Sequence, residues 1–153
     1  MSHDDQPLQP YVLVAGEGIA PERSALKASR CSTGGNFTLI ESHTRGGAPL
    51  HVHSLDDEYF YVLDGFISVQ IGSETFEVGP RGFVFFPRGI PHSWDVIREK
   101  NETATLLMMT VPGGLDEFLD EYHHAIADNA PDSVKDQINA KFGITWLNDE
   151  GKQ

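Results

Sequence analysis

The side chains in this chain best equipped for chemistry fall in two short blocks, 51-HVHSLDDEYFYVLDG-65 and 82-GFVFFPRGIPH-92. The first holds His51, His53 and Glu58, and the second ends on His92. Three imidazoles and a carboxylate form a mixed nitrogen and oxygen donor set. It suits one divalent transition metal ion per chain, with Fe, Ni, Mn, Co, Cu and Zn all compatible. Four protein ligands on a six-coordinate ion leave two positions for water, substrate or O2. Open positions of that kind separate a catalytic ion from a structural one. A Glu ligand that partly detaches could also take a proton. An H-x-H pair alone is more often a surface or structural feature, so the case rests on Glu58 and His92 joining it.

Joining them requires particular elements. His51 and His53 lie two apart in a β-like stretch, and a strand alternates its side chains, so both imidazoles point to one face. Glu58 opens the strand-like run 58-EYFYVL-63, where Glu58, Phe60 and Val62 share a face. His92 follows the turn signal Pro87-Arg88-Gly89 and shares a face with Trp94 and Val96 in 92-HSWDV-96. If both faces line a barrel, the metal sits at one end of an apolar cavity walled by Phe60, Val62, Phe85 and Trp94, the usual form of a small-molecule site. Tyr59 and Tyr61 then point outside. Further short β segments are expected at Tyr11–Val14, Leu26–Cys31, Phe37–Glu41, 66-FISVQI-71, 74-ETFEV-78, 83-FVFF-86 and Thr103–Thr110. Asp64-Gly65 between two apolar runs is a hairpin signal. Short strands spaced by turn residues indicate an antiparallel sandwich or barrel. After Pro112 the pattern changes: Leu115, Phe118, Leu119, Tyr122 and Ile126 recur at helical spacing, and a second helix is expected over Asp132–Lys141, ended by Gly143. The division is therefore a flexible tail over 1–10, a β-barrel over 11–112, and a helical tail over 113–153 packed on the same domain. The tail could be core cover or a lid over the pocket.

The two blocks resemble the paired motifs of the cupin superfamily, H-x-H-x4-E-x6-G and P-x-G-x2-H. His51, His53, Glu58 and Gly65 meet the first, and Pro87, Gly89 and His92 meet the second. The looser likeness over residues 30–147 is to small single-domain relatives of flavonol (quercetin) dioxygenases. Arg45 stands where that family usually has Gly, Arg81-Gly82 where it has Gly-Asp, and Val96 where it has Asn. None of these is a ligand position. The resemblance implies an all-β fold, an antiparallel double-stranded β-helix (jelly-roll barrel) with a short C-terminal helical tail. It also implies that His51, His53, Glu58 and His92 bind the metal, with Glu58 acting as base on an enolic hydroxyl. The implied activity is a dioxygenase acting with O2 on a hydroxylated aromatic or enolic ketone such as a flavonol, and the implied assembly is a homodimer. Exposed edge strands point the same way, because they invite pairing with a second chain.

Composition narrows the partners. The chain has 153 residues, with 11 basic against 23 acidic side chains and a net charge of −12. That length suits one domain with a real core, and the charge disfavours nucleic acid and anionic membrane surfaces. A small-molecule substrate is expected instead. No run reaches the ~20 apolar residues of a membrane helix, and the polar N-terminus has no signal-peptide core. The lone cysteine, Cys31, cannot form an internal disulfide, which fits a reducing cytoplasm. It is expected to be a small buried strand residue.

Other residues are weaker candidates. Asp56 and Asp57 read as a solvated acidic turn, His43 as a loop residue near the barrel mouth, and His123 and His124 as exposed helix positions facing different directions. Two rival functions use the same ligands. One is an oxygen-independent, metal-dependent isomerase, lyase or cyclase; the other is a non-catalytic binder of metal or a small ligand.

Overall fold

The computed structural model describes residues 7–147, so residues 1–6 of the expected tail lie outside the described part. Two five-stranded antiparallel sheets face each other as a jelly-roll sandwich. The strands are β1 (Leu26–Ala28), β2 (Thr38–Thr44), β3 (Ala48–His53), β4 (Asp57–Asp64), β5 (Ile67–Ile71), β6 (Glu74–Val78), β7 (Phe83–Phe86), β8 (His92–Val96) and β9 (Ala104–Val111). Helices α1 (Leu115–Ala127) and α2 (Asp132–Phe142) follow, and then β10 (Ile144–Trp146). One sheet runs β1-β2-β9-β4-β7 and the other β10-β3-β8-β5-β6.

Period-two patterning sets the inner faces. Along β4, Glu58, Phe60 and Val62 are buried while Tyr61 and Leu63 are exposed. Their inward neighbours from both sheets, among them Ile67, Val69, Phe86, Trp94, Val96 and Leu106, make one apolar cluster. Burying each large apolar side chain contributes roughly 1.5–3 kcal/mol. Gly65, in the β4–β5 hairpin, has φ 78° and lies where a Cβ would stand 2.6 Å from the carbonyl oxygen of Thr103. That turn therefore needs glycine.

Several expected elements differ. Tyr11–Val14 forms no strand; Val12 and Val14 are exposed, and the Tyr11 hydroxyl donates to the Lys27 carbonyl at 2.9 Å. The strand expected over Leu26–Cys31 stops at Ala28, and Cys31 lies exposed in the turn that follows, not buried in a strand. His43 is on β2, not in a loop, with Nδ1 2.9 Å from the Thr105 hydroxyl.

The tail is not purely helical. After Gly143, in the left-handed conformation that ends α2, the chain returns as β10 and pairs with β3, with Ile144 opposite His53 and Trp146 opposite His51. Leu115, Phe118, Phe142 and Ile144 form a second apolar cluster between the helices and the barrel. The α1 stripe is turned slightly from expectation: Ala125 is buried, Ile126 is 51% exposed, and Val134 of α2 is exposed as well. Asp116 is buried in the first turn of α1 and accepts a 2.7 Å hydrogen bond from the Thr38 hydroxyl, which fastens the helix to β2. No described helix is long and apolar enough to cross a membrane.

Candidate metal centre

His51 and His53 alternate with the less buried Val52 on β3, so both rings enter the sandwich. β3 pairs with β8 so that His92 stands directly opposite His51. Glu58 comes from β4 in the facing sheet. It therefore reaches across the sandwich to the histidine pair. The turn carrying the second motif is tied to the first, since the Gly89 N–H donates to the His53 carbonyl at 2.7 Å. Arg88 adds a clamp: Nε and Nη2 each lie 3.1 Å from an Asp57 carboxylate oxygen, and its backbone N–H donates to the same group at 2.9 Å.

All four side chains are buried, and one donor atom from each lies within 4.8 Å of every other. His51 Nε2 is 3.1 Å from His53 Nε2, and Glu58 Oε2 is 3.1 Å from His92 Nε2 and 3.6 Å from His53 Nε2. Ligands bound at about 2.0–2.2 Å and at right angles stand about 3 Å apart, so these spacings fit adjacent positions around one ion. The tautomers fit too. His51 Nδ1 lies 2.6 Å from the Pro49 carbonyl and His92 Nδ1 lies 3.1 Å from the Ile90 carbonyl. A carbonyl only accepts, so the protons are assigned to Nδ1, and each neutral ring aims an Nε2 lone pair inward. The His92 lone pair then faces a Glu58 oxygen, acceptor against acceptor, an arrangement that a cation between them relieves. The residues fit a metal.

Electrostatics agree. Burial, aided by the nearby rings of His92 and His53, pushes His51 down to about 4, and burial lowers His53 as well. Both rings stay neutral near pH 7, the form a metal binds. Burial acts to raise Glu58, but the surrounding histidines, His92 foremost at 3.1 Å, outweigh this and hold its carboxyl below the usual range.

The wall expected around this site needs correction. Phe60 and Val62 are fully buried and Trp94 nearly so, and they fill the barrel instead of lining a cavity: the Phe60 ring lies 5.1 Å from Phe86 and 5.2 Å from Trp94. Phe85 is 44% exposed on the outer face, stacked on Tyr59 at 4.9 Å. The register that pairs Phe86 with Glu58 turns Phe85 outward. Its neighbour Phe86 is the inward residue, stacked on His92 at 4.0 Å. An unbroken FVFF run has no alternation, so the sequence offered no signal for which residues face in.

Beside the cluster, on the other side and beneath the helices, lies a cleft too narrow to hold a water molecule, lined by His53, Asp56, Thr110, Leu115, Phe118 and Phe142 among others. Two buried polar atoms of its lining, His53 Nδ1 and Thr110 Oγ1, have no hydrogen-bond partner among the described residues. Asp56 is no freely solvated acid: burial, opposed by Arg88 and Arg30, pushes its carboxyl up to about 6. Asp57 is engaged by Arg88. His123 and His124 are exposed, as expected. A larger groove of about 1020 Å³, bordered by Gly47, Gln70, Ser93, Asp95 and Arg98, touches none of the four cluster residues.

Residues 38–110, which carry the whole cluster, match the family described as cupin domain. Those residues, just under half of the chain, are similar to a cupin domain. A curated relative, the quercetin 2,3-dioxygenase of Bacillus subtilis (strain 168), is 28% identical over 143 residues, covering 87% of this chain and 41% of the relative. The chain thus spans less than half of that protein's length. Among solved structures, KdgF from a Halomonas species superposes with a TM-score of 0.50 at 17% identity, over 60% of this chain and 79% of that one. A nucleoside dehydratase of Streptomyces is also similar, at a TM-score of 0.44, 13% identity, and 51% and 61% coverage. These structural likenesses concern the cupin fold alone.

Proposed function

We propose that this cupin-like domain is a metal-dependent dioxygenase acting on a hydroxylated aromatic or enolic ketone such as a flavonol. The observation that carries the reading is the buried His51, His53, Glu58 and His92 cluster at the end of a cleft with apolar walls, in a chain similar to a named quercetin dioxygenase. A divalent transition metal held by these four groups supplies Lewis acidity and open positions at which a substrate oxygen and O2 meet.

The chain's own residues would divide the remaining work. His51, His53 and His92 present neutral nitrogen donors, two of them oriented by backbone carbonyls. Glu58 takes the proton from an enolic hydroxyl as it approaches. Leu115, Phe118 and Phe142 hold the flat apolar body of the substrate and keep water away. The crevice is too narrow to hold even a water molecule, far short of the ~300–1,000 Å³ of ordinary ligand sites. Admitting a flavonol therefore requires α1 and α2 to draw back, which makes the tail a lid as well as core cover.

Oxygen uptake tests the reading. Protein loaded separately with Fe, Mn, Co, Ni, Cu or Zn is given a flavonol panel in an oxygen electrode. Uptake with at least one metal, matched by flavonol loss and abolished by His53→Ala, is the expected result. Turnover that persists under strict anaerobiosis would replace it with an isomerase, lyase or cyclase reading. Metal binding with no turnover of any substrate would leave a binding protein.

A further inference from the structure

The donors of the candidate centre lie on β3 and β8 of one sheet and on β4 of the other, so the chain must cross between sheets before His92 is placed. β7 in the first sheet stops at Phe86, opposite Glu58, and β8 in the second starts at His92. In the crossing, the Ile90 N–H donates to the Pro87 carbonyl at 3.3 Å and Gly89 has φ 82°, the geometry of a type II turn. The turn itself fixes only its own shape. Where it sits, and so where His92 enters the sandwich, depends on what holds it from outside.

Two anchors hold it, and each lies on a segment that carries other donors. On one side the Gly89 N–H reaches the carbonyl of His53. On the other, past the end of the β4–β7 ladder, the Asp57 carboxylate accepts the Arg88 backbone N–H at 2.9 Å, and Nε and Nη2 of the same residue at 3.1 Å each. Asp57 directly precedes Glu58 on β4, so the two carboxylates point to opposite faces, one out to Arg88 and one in to the centre. Nη2 of Arg88 also donates at 3.3 Å to the carbonyl of Val111, which stands opposite Asp57 on β9. A fork of this kind fixes direction as well as distance, and a lysine cannot reproduce it. The pair is partly solvated, so by itself it adds little to stability.

On the reading that His51, His53, Glu58 and His92 hold a metal, we propose that Asp57 and Arg88 are positioning residues whose pairing sets His92 against Glu58 and thereby sets the affinity and geometry of metal binding. Neither belongs to the donor set. Asp57 acts through Glu58, its neighbour on β4, and Arg88 acts through the turn that delivers His92. Their opposite charges separate this role from plain electrostatics. Through the field alone, losing the Asp57 charge would weaken the attraction for a cation and losing the Arg88 charge would strengthen it. Loss of position weakens binding in both cases.

Equilibrium dialysis of the full chain against Co(II) at one pH, with visible absorption at saturation, tests this. Asp57→Asn and Arg88→Gln should each raise the Co(II) dissociation constant about 10–100-fold, the usual effect of removing a group that orients a ligand, and should alter the visible band of the saturated protein. The double variant should lose no more than the worse single variant, because the same contact is broken either way. Arg88→Lys, the mildest change, should fall between Arg88→Gln and the wild type and gives a reading even where a harsher variant fails to fold. Lys100→Gln, which breaks the exposed pair of Lys100 with Glu77 outside this crossing, should leave affinity and spectrum unchanged. Metal-free melting of the folded variants should stay close to the wild type. Tighter binding by Arg88→Gln, additive losses in the double variant, or unchanged affinity and spectrum in both single variants beside a wild type that binds would overturn the positioning role alone. A wild-type chain that binds no Co(II) would overturn the metal reading and this role with it.

Discussion

Two apolar regions adjoin the same four donors, and they are built differently. On the barrel side, Phe60, Val62 and Phe86 are almost completely buried, with the Phe60 and Phe86 rings packed edge to face. On the helix side, Leu115, Phe118 and Phe142 leave a cleft into which Thr110 and His53 present polar atoms with no partner among the described residues. A packed core has no use for unpaired polar atoms, because each costs about 1–3 kcal/mol. A ligand site does, because the ligand brings the partner. The barrel interior therefore holds the donors in place, and the cleft is the side that the proposed function gives to a substrate.

The largest expected effect separates the two. Phe60→Ala should cost about 3–5 kcal/mol in denaturant melts, as for other aromatic deletions in packed cores. A loss below ~1 kcal/mol would mean that the interior is loose and could itself be a pocket.

Acid should come next. His51 is held near 4, below the ordinary 6.5. Between those values the unfolded chain binds the proton and the folded chain does not, so stability rises with pH there. It is fully present above about 6.5 and is lost as pH falls toward about 4. The lowered His53 and Glu58 act in the same direction. The metal-free protein should lose on the order of 2–3 kcal/mol across that window, and His51→Gln should flatten the curve. A metal-free melting temperature independent of pH over that range would contradict the electrostatic picture.

Phe85→Ala should cost less than ~1 kcal/mol, since its ring is partly solvated on the outer face. A cost equal to that of Phe60→Ala would restore the interior placement. The smallest stability effect should come from Thr110→Val, which removes a buried hydroxyl without a partner and keeps the volume. Denaturation should show little change or a small gain. Steady-state kinetics should show KM for a hydroxylated substrate rising up to ~10-fold, the worth of one hydrogen bond. An unchanged KM would remove the hydroxyl from substrate recognition.

The sequence carried much of the centre but not its surroundings. Ligand spacing was legible because period-two alternation and two fixed turns, at Asp64-Gly65 and Pro87-Arg88-Gly89, dictate which side chains enter the sandwich. The two helices were legible from their apolar spacing. β7 was misread at Phe85 because four consecutive apolar residues carry no phase. The cleft was not legible, because it forms between Thr110, Asp56 and Phe142, which come together only when α1 and α2 fold back over the barrel. β10 was missed because three residues, Ile144 to Trp146, are too short for periodicity; pairing with β3 makes them a strand. Cys31 was expected inside and lies in a turn, where the preceding Ser29-Arg30 already leaves the sheet.

The most direct test of the centre is an anaerobic titration of metal-free protein with Co(II), followed by visible absorption and by equilibrium dialysis. The expected result is saturation at one ion per chain, loss of the spectrum in His53→Ala and in His92→Ala, and retention in Phe85→Ala. No saturable binding by the wild-type chain, or equal binding after His53→Ala, would contradict it.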